Sequence, residues 1–243
     1  MIEKAVLYIK EQFDHGSINT FSYNYEGQRM TERMGWKYID TERLFFSGAP
    51  KLREKDEYSY IYIGYLLDKQ GRVINWIKVF PEVAGNEELK ISEGMLIYDV
   101  DGYLKQVTRL DGCDAGDLIN TLTWKNSNLI RADENGDFST LEYGIQLNNL
   151  DINMDLNWAF LSTEWLDNAV FEGEKRFKLF ANLGNRSKHY IIKEQGHSQY
   201  DEGYFSRLYE FDEHNRPSKI SVMHVTEKGT KLKKVATISY TKN

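Results

Sequence analysis

The chain has 243 residues, 41% of them hydrophobic and 28% charged, an ordinary composition for a globular protein with a sizeable core. Its 31 basic and 37 acidic side chains leave a net charge of -6 with no long Lys/Arg run, which argues against a nucleic-acid or anionic-membrane partner. No apolar run approaches the ~18 residues of a membrane helix, and Met1-Ile2-Glu3-Lys4 leads into alternating residues rather than a signal peptide's apolar stretch.

Aromatic residues, 14% of the chain, lean towards pleated, half-exposed surfaces and hence β structure. Taken in chain order, Phe21, Tyr23 and Tyr25 form a first row, followed by a turn over Tyr23 to Met30. Tyr58-Ser59-Tyr60-Ile61-Tyr62-Ile63-Gly64-Tyr65 reads as a strand with Tyr58, Tyr60 and Tyr62 on one face. Ile61, Ile63 and Tyr65 take the other. The tyrosine row fits cross-strand aromatic packing, or an exposed platform for a sugar or a protein partner.

A turn follows in Asp68-Lys69-Gln70-Gly71-Arg72, and a similar one in Asp99-Val100-Asp101-Gly102-Tyr103. A third reads Asp212-Glu213-His214-Asn215-Arg216. Gly or Asn in such turns tolerates the positive φ of a tight hairpin, and Asp can hydrogen-bond the turn backbone. Between and beyond them residues alternate. Leu89, Ile91, Met95 and Ile97 share a face with Glu93, Leu118, Leu122 and Trp124 with Asn120, and Phe205, Tyr209 and Phe211 with Arg207. Ile220 and Val222 share one with His224, and Ala236, Ile238 and Tyr240 line a closing strand. Only the stretch near 156–183 breaks the rhythm: Phe160, Leu161, Glu164 and Trp165 fall at helical spacing, with Gly184 as a stop, and predict one or two short helices. The whole predicts a mainly β chain, a curved antiparallel meander or partial barrel of hairpins. With no Ser/Gly linker, residues 1–243 form a single domain.

Chemical motifs are sparse. Cys113 stands alone, so no internal disulfide forms, and its acidic neighbours disfavour a nucleophilic thiol. The carboxylate pairs Asp99/Asp101 and Asp114/Asp117 are candidates for acid–base chemistry, but they sit in turns where Asp is expected anyway. Asp133, Asn135 and Asp137 offer oxygens at alternate positions, as calcium loops do, but Gly136 and Phe138 depart from the EF-hand and favour a hairpin turn. The five histidines show no paired metal-ligand spacing; His224 reads as a hydrogen-bonded sheet residue, and Gly196-His197-Ser198-Gln199-Tyr200 lacks a nucleophile elbow's second glycine. No transition metal, organic cofactor or phosphate loop is expected.

The Tyr-Asp-x-x-Gly hairpins resemble the YD-type repeats of secreted bacterial proteins. More closely, the chain resembles a lipoprotein family of Bacteroides-type bacteria, a domain of unknown function with a porin-like fold. The resemblance lies in the hairpin Tyr98 to Val107 with Thr121 to Ile130, in the Asn-rich segment Leu147 to Asn157, and in Leu183-Gly184-Asn185-Arg186-Ser187-Lys188. It covers roughly residues 65 to 243, the first 60 matching less well. It implies an envelope location, periplasm or cell surface with an outer-membrane anchor, after a lipoprotein signal is removed. It supplies no catalytic residues.

A lipid-facing barrel shows a continuous apolar band, and a charge near mid-bilayer costs roughly 2–4 kcal/mol. Residues 103–110 carry Lys105 and Arg109 on one face and Gln106 and Thr108 on the other, and Lys231, Lys233 and Lys234 follow near the end. The expectation is therefore a soluble, strongly curved antiparallel sheet or partial barrel, not a pore. Its expected role is a non-enzymatic, envelope-associated binding or interaction module for glycan or protein, with Tyr58, Tyr60 and Tyr62 as its platform. The alternatives are a glycan-acting hydrolase with an unidentified carboxylate pair, and a carrier of an apolar molecule.

Overall fold

The computed structural model describes residues 7–13, 18–26, 29–35, 40–46, 62–79, 91–111, 118–134, 137–149, 183–197 and 202–240, and none of these is helical. The strands are β1 (Leu7–Phe13), β2 (Ile18–Glu26), β3 (Arg29–Gly35), β4 (Asp40–Phe46), β5 (Tyr62–Leu67), β6 (Val73–Val79), β7 (Ile91–Tyr98) and β8 (Leu104–Asp111). Next come β9 (Leu118–Lys125), β10 (Asn128–Glu134), β11 (Asp137–Leu147), β12 (His189–Gly196), β13 (Tyr204–Phe211), β14 (Pro217–Thr226) and β15 (Gly229–Tyr240). Apart from Leu183, the stretch expected to be helical lies outside the described residues.

The expected antiparallel meander is present. From β5 to β15 each strand pairs antiparallel with the next. The four N-terminal strands continue the ladder: β1 pairs with both β2 and β15, and β4 lies beside β5, so the order closes into a barrel. Fifteen strands cannot alternate in direction all the way round a ring. The parallel contact that parity demands falls between β4 and β5.

Alternating direction also sorts the turns. The connections β2–β3, β5–β6, β7–β8, β9–β10, β11–β12 and β13–β14 all fall at one end of the barrel, with the start of β1 and the end of β15. The Asp-x-x-Gly/Asn turns are thereby gathered at this hairpin end, because one occurs only every second strand.

Side chains pointing into the barrel make the core. Tyr65, Val73, Leu104, Leu129 and Leu183 are wholly buried and join Trp76, Leu96, Val107, Leu122, Ala132, Leu141 and Ile191 in one cluster. The predicted faces of β9, β13, β14 and β15 point inward as grouped: Asn120 with Leu122, Arg207 beside half-buried Phe205 and Tyr209, Ile220 with Val222, and Ala236 with Ile238. On β7 the apolar face turns outward. Met95 and Ile97 are exposed, because Gly94, not a side chain, must face Trp76 across the ladder. A Cβ at Gly94 would fall 2.2 Å from the indole Nε1. Lys234, which weighed against a lipid face, is buried on the inner side opposite Val222.

Candidate functional site

The hairpin end is built from one local device used three times. In each turn the first Asp accepts two backbone N–H groups on Oδ1: from Gln70 and Arg72 on Asp68, from Asp101 and Tyr103 on Asp99, and from His214 and Arg216 on Asp212, all at 2.8 to 3.0 Å. The fourth residue adopts the left-handed conformation, at φ 74° for Gly71, 86° for Gly102 and 61° for Asn215. The Asp carboxylates therefore hold the turns in shape.

Each turn is then clasped by an aromatic side chain from the adjacent strand. Tyr98 donates to the Val73 carbonyl at 2.6 Å, Trp124 Nε1 to the Leu104 carbonyl at 2.8 Å, and Tyr240 to the Pro217 carbonyl at 2.9 Å. In two turns the fifth residue is an arginine that returns to the Asp and covers the clasping ring. Arg72 reaches Asp68 at 2.7 Å and lies 4.5 Å from the Tyr98 centroid; Arg216 reaches Asp212 and lies 4.0 Å from that of Tyr240. In the remaining turn Tyr103 takes this place against Trp124, with centroids 4.7 Å apart.

Burial pushes the Tyr98 and Tyr240 phenols far above their ordinary range, against the opposing pull of Arg72 and Arg216. Both remain neutral donors. For Asp68, burial raises the carboxyl, but the Arg72 backbone and side-chain bonds and the Gln70 N–H outweigh it and hold it below its usual range. Asp212 is lowered likewise: desolvation raises it, and bonds from Arg216 and His214 prevail.

A strap, residues 183–188, crosses this end before β12 begins. Leu183 enters the core, and Gly184 (φ 82°) forms a bridge to Tyr103. A Cβ on Gly184 would stand 2.3 Å from the Gly102 carbonyl oxygen, so only glycine permits this approach. Asn185 donates its N–H to the Gly102 carbonyl at 2.8 Å and its amide Nδ2 to that of Asp101 at 2.6 Å. Ser187 Oγ accepts the Leu129 N–H and donates to the Tyr143 hydroxyl, both at 3.0 Å. Lys188 donates to the Ser127 carbonyl at 2.8 Å, and Asn148, just past the end of β11, closes the strap by donating to the carbonyls of Lys188 and Ser187. All three places that carried the sequence resemblance thus hold strap residues or their partners.

Between strap and turns lies an open cleft of about 450 Å³, lined by Gln70, Arg72, Asp99 to Gly102, Gly184 and Asn185. Its walls are guanidinium, amide, carboxylate and bare glycine backbone, with Val100 fully exposed on the rim. Asp99, one of the carboxylates considered for acid–base chemistry, is engaged by turn N–H groups.

Of the other sequence candidates, Tyr58 and Tyr60 lie outside the described residues, as do Cys113, Asn135 and the Asp114/Asp117 pair. Tyr62 begins β5. Asp133 sits on β10 and Asp137 starts β11. The Asp133 carboxylate is taken by Arg131 Nε at 2.8 and 2.9 Å, so a cation there would have to displace a guanidinium. His224 Nε2 lies 2.8 Å from the Glu202 carbonyl and its ring stacks on Phe205, the expected sheet role. His197 stacks on Phe138, and His189 contacts Asn128; no group of three potential metal ligands occurs among the described residues. Arg72 and Asn185 were read in the sequence only as parts of a turn and of a resembling stretch, not as site residues. The recurrence of Arg four residues after Asp, at Arg72 and Arg216, was the available signal for the first.

No protein-family model matches the sequence, and no curated protein sequence matches it. Structural likeness is clear. A porin-like protein from Bacteroides uniformis superposes with a TM-score of 0.60 at 15% identity, over 98% of each chain. The chain has a porin-like fold. A second porin-like protein, from Bacteroides vulgatus, matches with a TM-score of 0.56 at 11% identity, over 99% of this chain and 100% of that one. This agrees with the fold that the sequence resemblance implied.

Proposed function

We propose that the chain is a non-enzymatic, envelope-associated binding module that takes its partner at the hairpin end. The observation that carries this reading is the polar cleft between strap and turns, held open by a hydrogen-bonded frame and lacking a free pair of catalytic carboxylates. The envelope setting rests on the likeness to porin-like proteins of Bacteroides.

The barrel is read as standing in water rather than in lipid. Glu142 and Lys193 face each other across β11 and β12 with a 2.7 Å ion pair, and Glu210 and Lys219 do so across β13 and β14 at 2.6 Å. All four side chains remain solvent-accessible on the outer face. Glu142 and Lys193 lie near mid-strand, where charges are expensive against hydrocarbon, whereas Glu210 and Lys219 lie next to the hairpin end. The carrier reading is disfavoured because apolar side chains occupy the interior around Tyr65, Leu104 and Leu129. The row Tyr58, Tyr60 and Tyr62 is retained as a second proposed contact strip, for which Tyr60→Ala should weaken binding and leave folding nearly intact.

The test is hydrogen exchange of the full chain mixed with isolated Bacteroides envelope fraction. Protection of residues 98–104 and 183–188, without release of new reducing sugar ends, is expected. Protection confined to other strands, or turnover, overturns the reading.

A further inference from the structure

Strand β11 outruns its neighbour. It has 11 residues to the 7 of β10, and the two pair only from Arg131 with Thr140 to Glu134 with Asp137. Carried on in the same register, the ladder would run out of β10 at Tyr143, opposite Asn128. It stops sooner, because Asn128 and Leu129 are engaged by His189 and Ser187 instead. Towards β12 the pairing skips from Tyr143 with Ile191 to Leu147 with His189. Gly144, Ile145 and Gln146 therefore have no ladder partner on either side among the described residues. The β12 side is closed by Ile192, whose Cγ2 would lie 3.1 Å from a Cβ on Gly144. The bare edge is the one that faces β10. On this extended segment Ile145 is 97% and Leu147 56% exposed.

A bare edge offers N–H and C=O groups to any extended chain, and proteins commonly guard such edges with charge. β15 shows the guarded kind. β1 pairs with it only from Lys234 onward, so among the described residues 229–233 lack a strand on that side, and this run carries Lys231 and Lys233. Two copies paired antiparallel about Leu232 would set lysine against lysine, which opposes the pairing. The β11 run Tyr143-Gly144-Ile145-Gln146-Leu147 carries no charge. Under a twofold axis an antiparallel edge is its own complement. An axis at Ile145 sets Ile145 against its own copy, Gly144 against the partner's Gln146, and Tyr143 against the partner's Leu147. No like charges face each other, and two exposed aliphatic side chains per copy leave water. We propose that the protein self-associates through this edge, β11 of one copy pairing with β11 of a second. The contact is short, so the dimer is weak and reversible. It stands independently of the binding reading above.

The test is sedimentation equilibrium of the full chain from about 5 to about 500 µM, the range that reports micromolar association. A reversible monomer–dimer equilibrium is expected, with backbone exchange at Gly144, Ile145 and Gln146 slowing as concentration rises. Ile145→Lys installs the guard that β15 carries and should weaken the dimer by about tenfold or more, whereas Met95→Lys, at an exposed position on the outer face of β7, should change it by less than about twofold. Mixing Ile145→Lys with Ile145→Glu should restore association, because opposite charges then meet at the axis. A monomer at every concentration, which would leave the edge to a foreign strand, overturns the proposal. Equal weakening by Ile145→Lys and Met95→Lys, or exchange at residues 144–146 that ignores concentration, would place the contact elsewhere and overturn it too.

Discussion

Glu194 and Arg207 meet across β12 and β13 at 2.5 Å with both side chains wholly withdrawn from solvent. Taking two charges out of water costs several kcal/mol per ion, which their attraction recovers only while both are present. Removing one leaves a buried, uncompensated charge. Glu194→Gln or Arg207→Met should therefore destabilise by about 3–5 kcal/mol in denaturant unfolding, whereas Glu194→Met with Arg207→Leu should recover most of the loss. Single and double variants of equal stability would contradict this account.

The contact of Trp76 with Gly94 gives a sharper steric prediction. Any side chain at 94 collides with a buried indole rather than with the flexible end of a chain. Gly94→Ala should cost about 1–3 kcal/mol, the usual penalty of overpacking. Pairing it with Trp76→Leu should make the two changes non-additive in a double-mutant cycle, since the second removes the obstacle. Additive losses would show that the collision is relieved elsewhere.

The clasping tyrosines predict alkaline sensitivity. Tyr98 and Tyr240 have phenols raised by burial, while in the unfolded chain they ionise near about pH 10. For a raised group the stabilisation is complete below the unfolded value and is lost as pH rises through the folded one. Melting temperature should thus fall above about pH 10, less steeply in Tyr98→Phe and Tyr240→Phe. Asp68 has the opposite sign: its lowered carboxyl stabilises above the unfolded value and loses this as pH falls. Ultraviolet titration in which every tyrosine ionises before unfolding would refute the alkaline half.

These residues also mark how far the sequence could be read. Alternation located β5, β7, β9, β13, β14 and β15, and turn chemistry located Asp68, Asp99 and Asp212, because both signals are local. Which face points inward is decided by partners distant in the chain. The Met95/Ile97 face looked apolar enough for a core, but the indole of Trp76 needs the bare backbone of Gly94 on the inner side. The buried pair was illegible for the same reason: Arg207 shares an aromatic face with Phe205 and Tyr209, but Glu194 sits between Lys193 and Gln195, and only the β12–β13 pairing brings the two together. The cleft depends on the strap folding back from residues 183–188 onto a turn near 100, a separation that no periodicity reveals.

The outer ion pairs predict membrane behaviour. Purified protein offered to liposomes should produce no solute-driven swelling and no channel currents. Glu142→Leu with Lys193→Leu removes one of the charged pairs from the outer face and should increase detergent binding. Stepwise conductance from the unmodified chain would show that the outer face meets lipid after all.

The strap supplies a prediction that links stability to the cleft. Ser187 Oγ receives the N–H of Leu129, a wholly buried residue, and passes its own proton to the Tyr143 oxygen. Ser187→Ala leaves that backbone donor without its acceptor in the core, at a cost of about 1–3 kcal/mol. Tyr143→Phe removes the oxygen that accepts from Ser187 and leaves the Leu129 N–H its acceptor, so it should cost less, about 0.5–1.5 kcal/mol. Hydrogen exchange at Leu129 should quicken in Ser187→Ala and stay near the unmodified rate in Tyr143→Phe. The Ser187 backbone is also tied to Asn148, and two residues earlier Asn185 frames the cleft. Loosening the strap at Ser187 should therefore broaden the Asn185 side-chain resonances, while Gly71 and Asn215, in turns without strap contacts through Asn185, stay sharp. If Leu129 exchange and the Asn185 signals are both unchanged in Ser187→Ala, the hydroxyl is not what pins the strap, and the rigidity of the cleft must come from Gly184 and Leu183 alone.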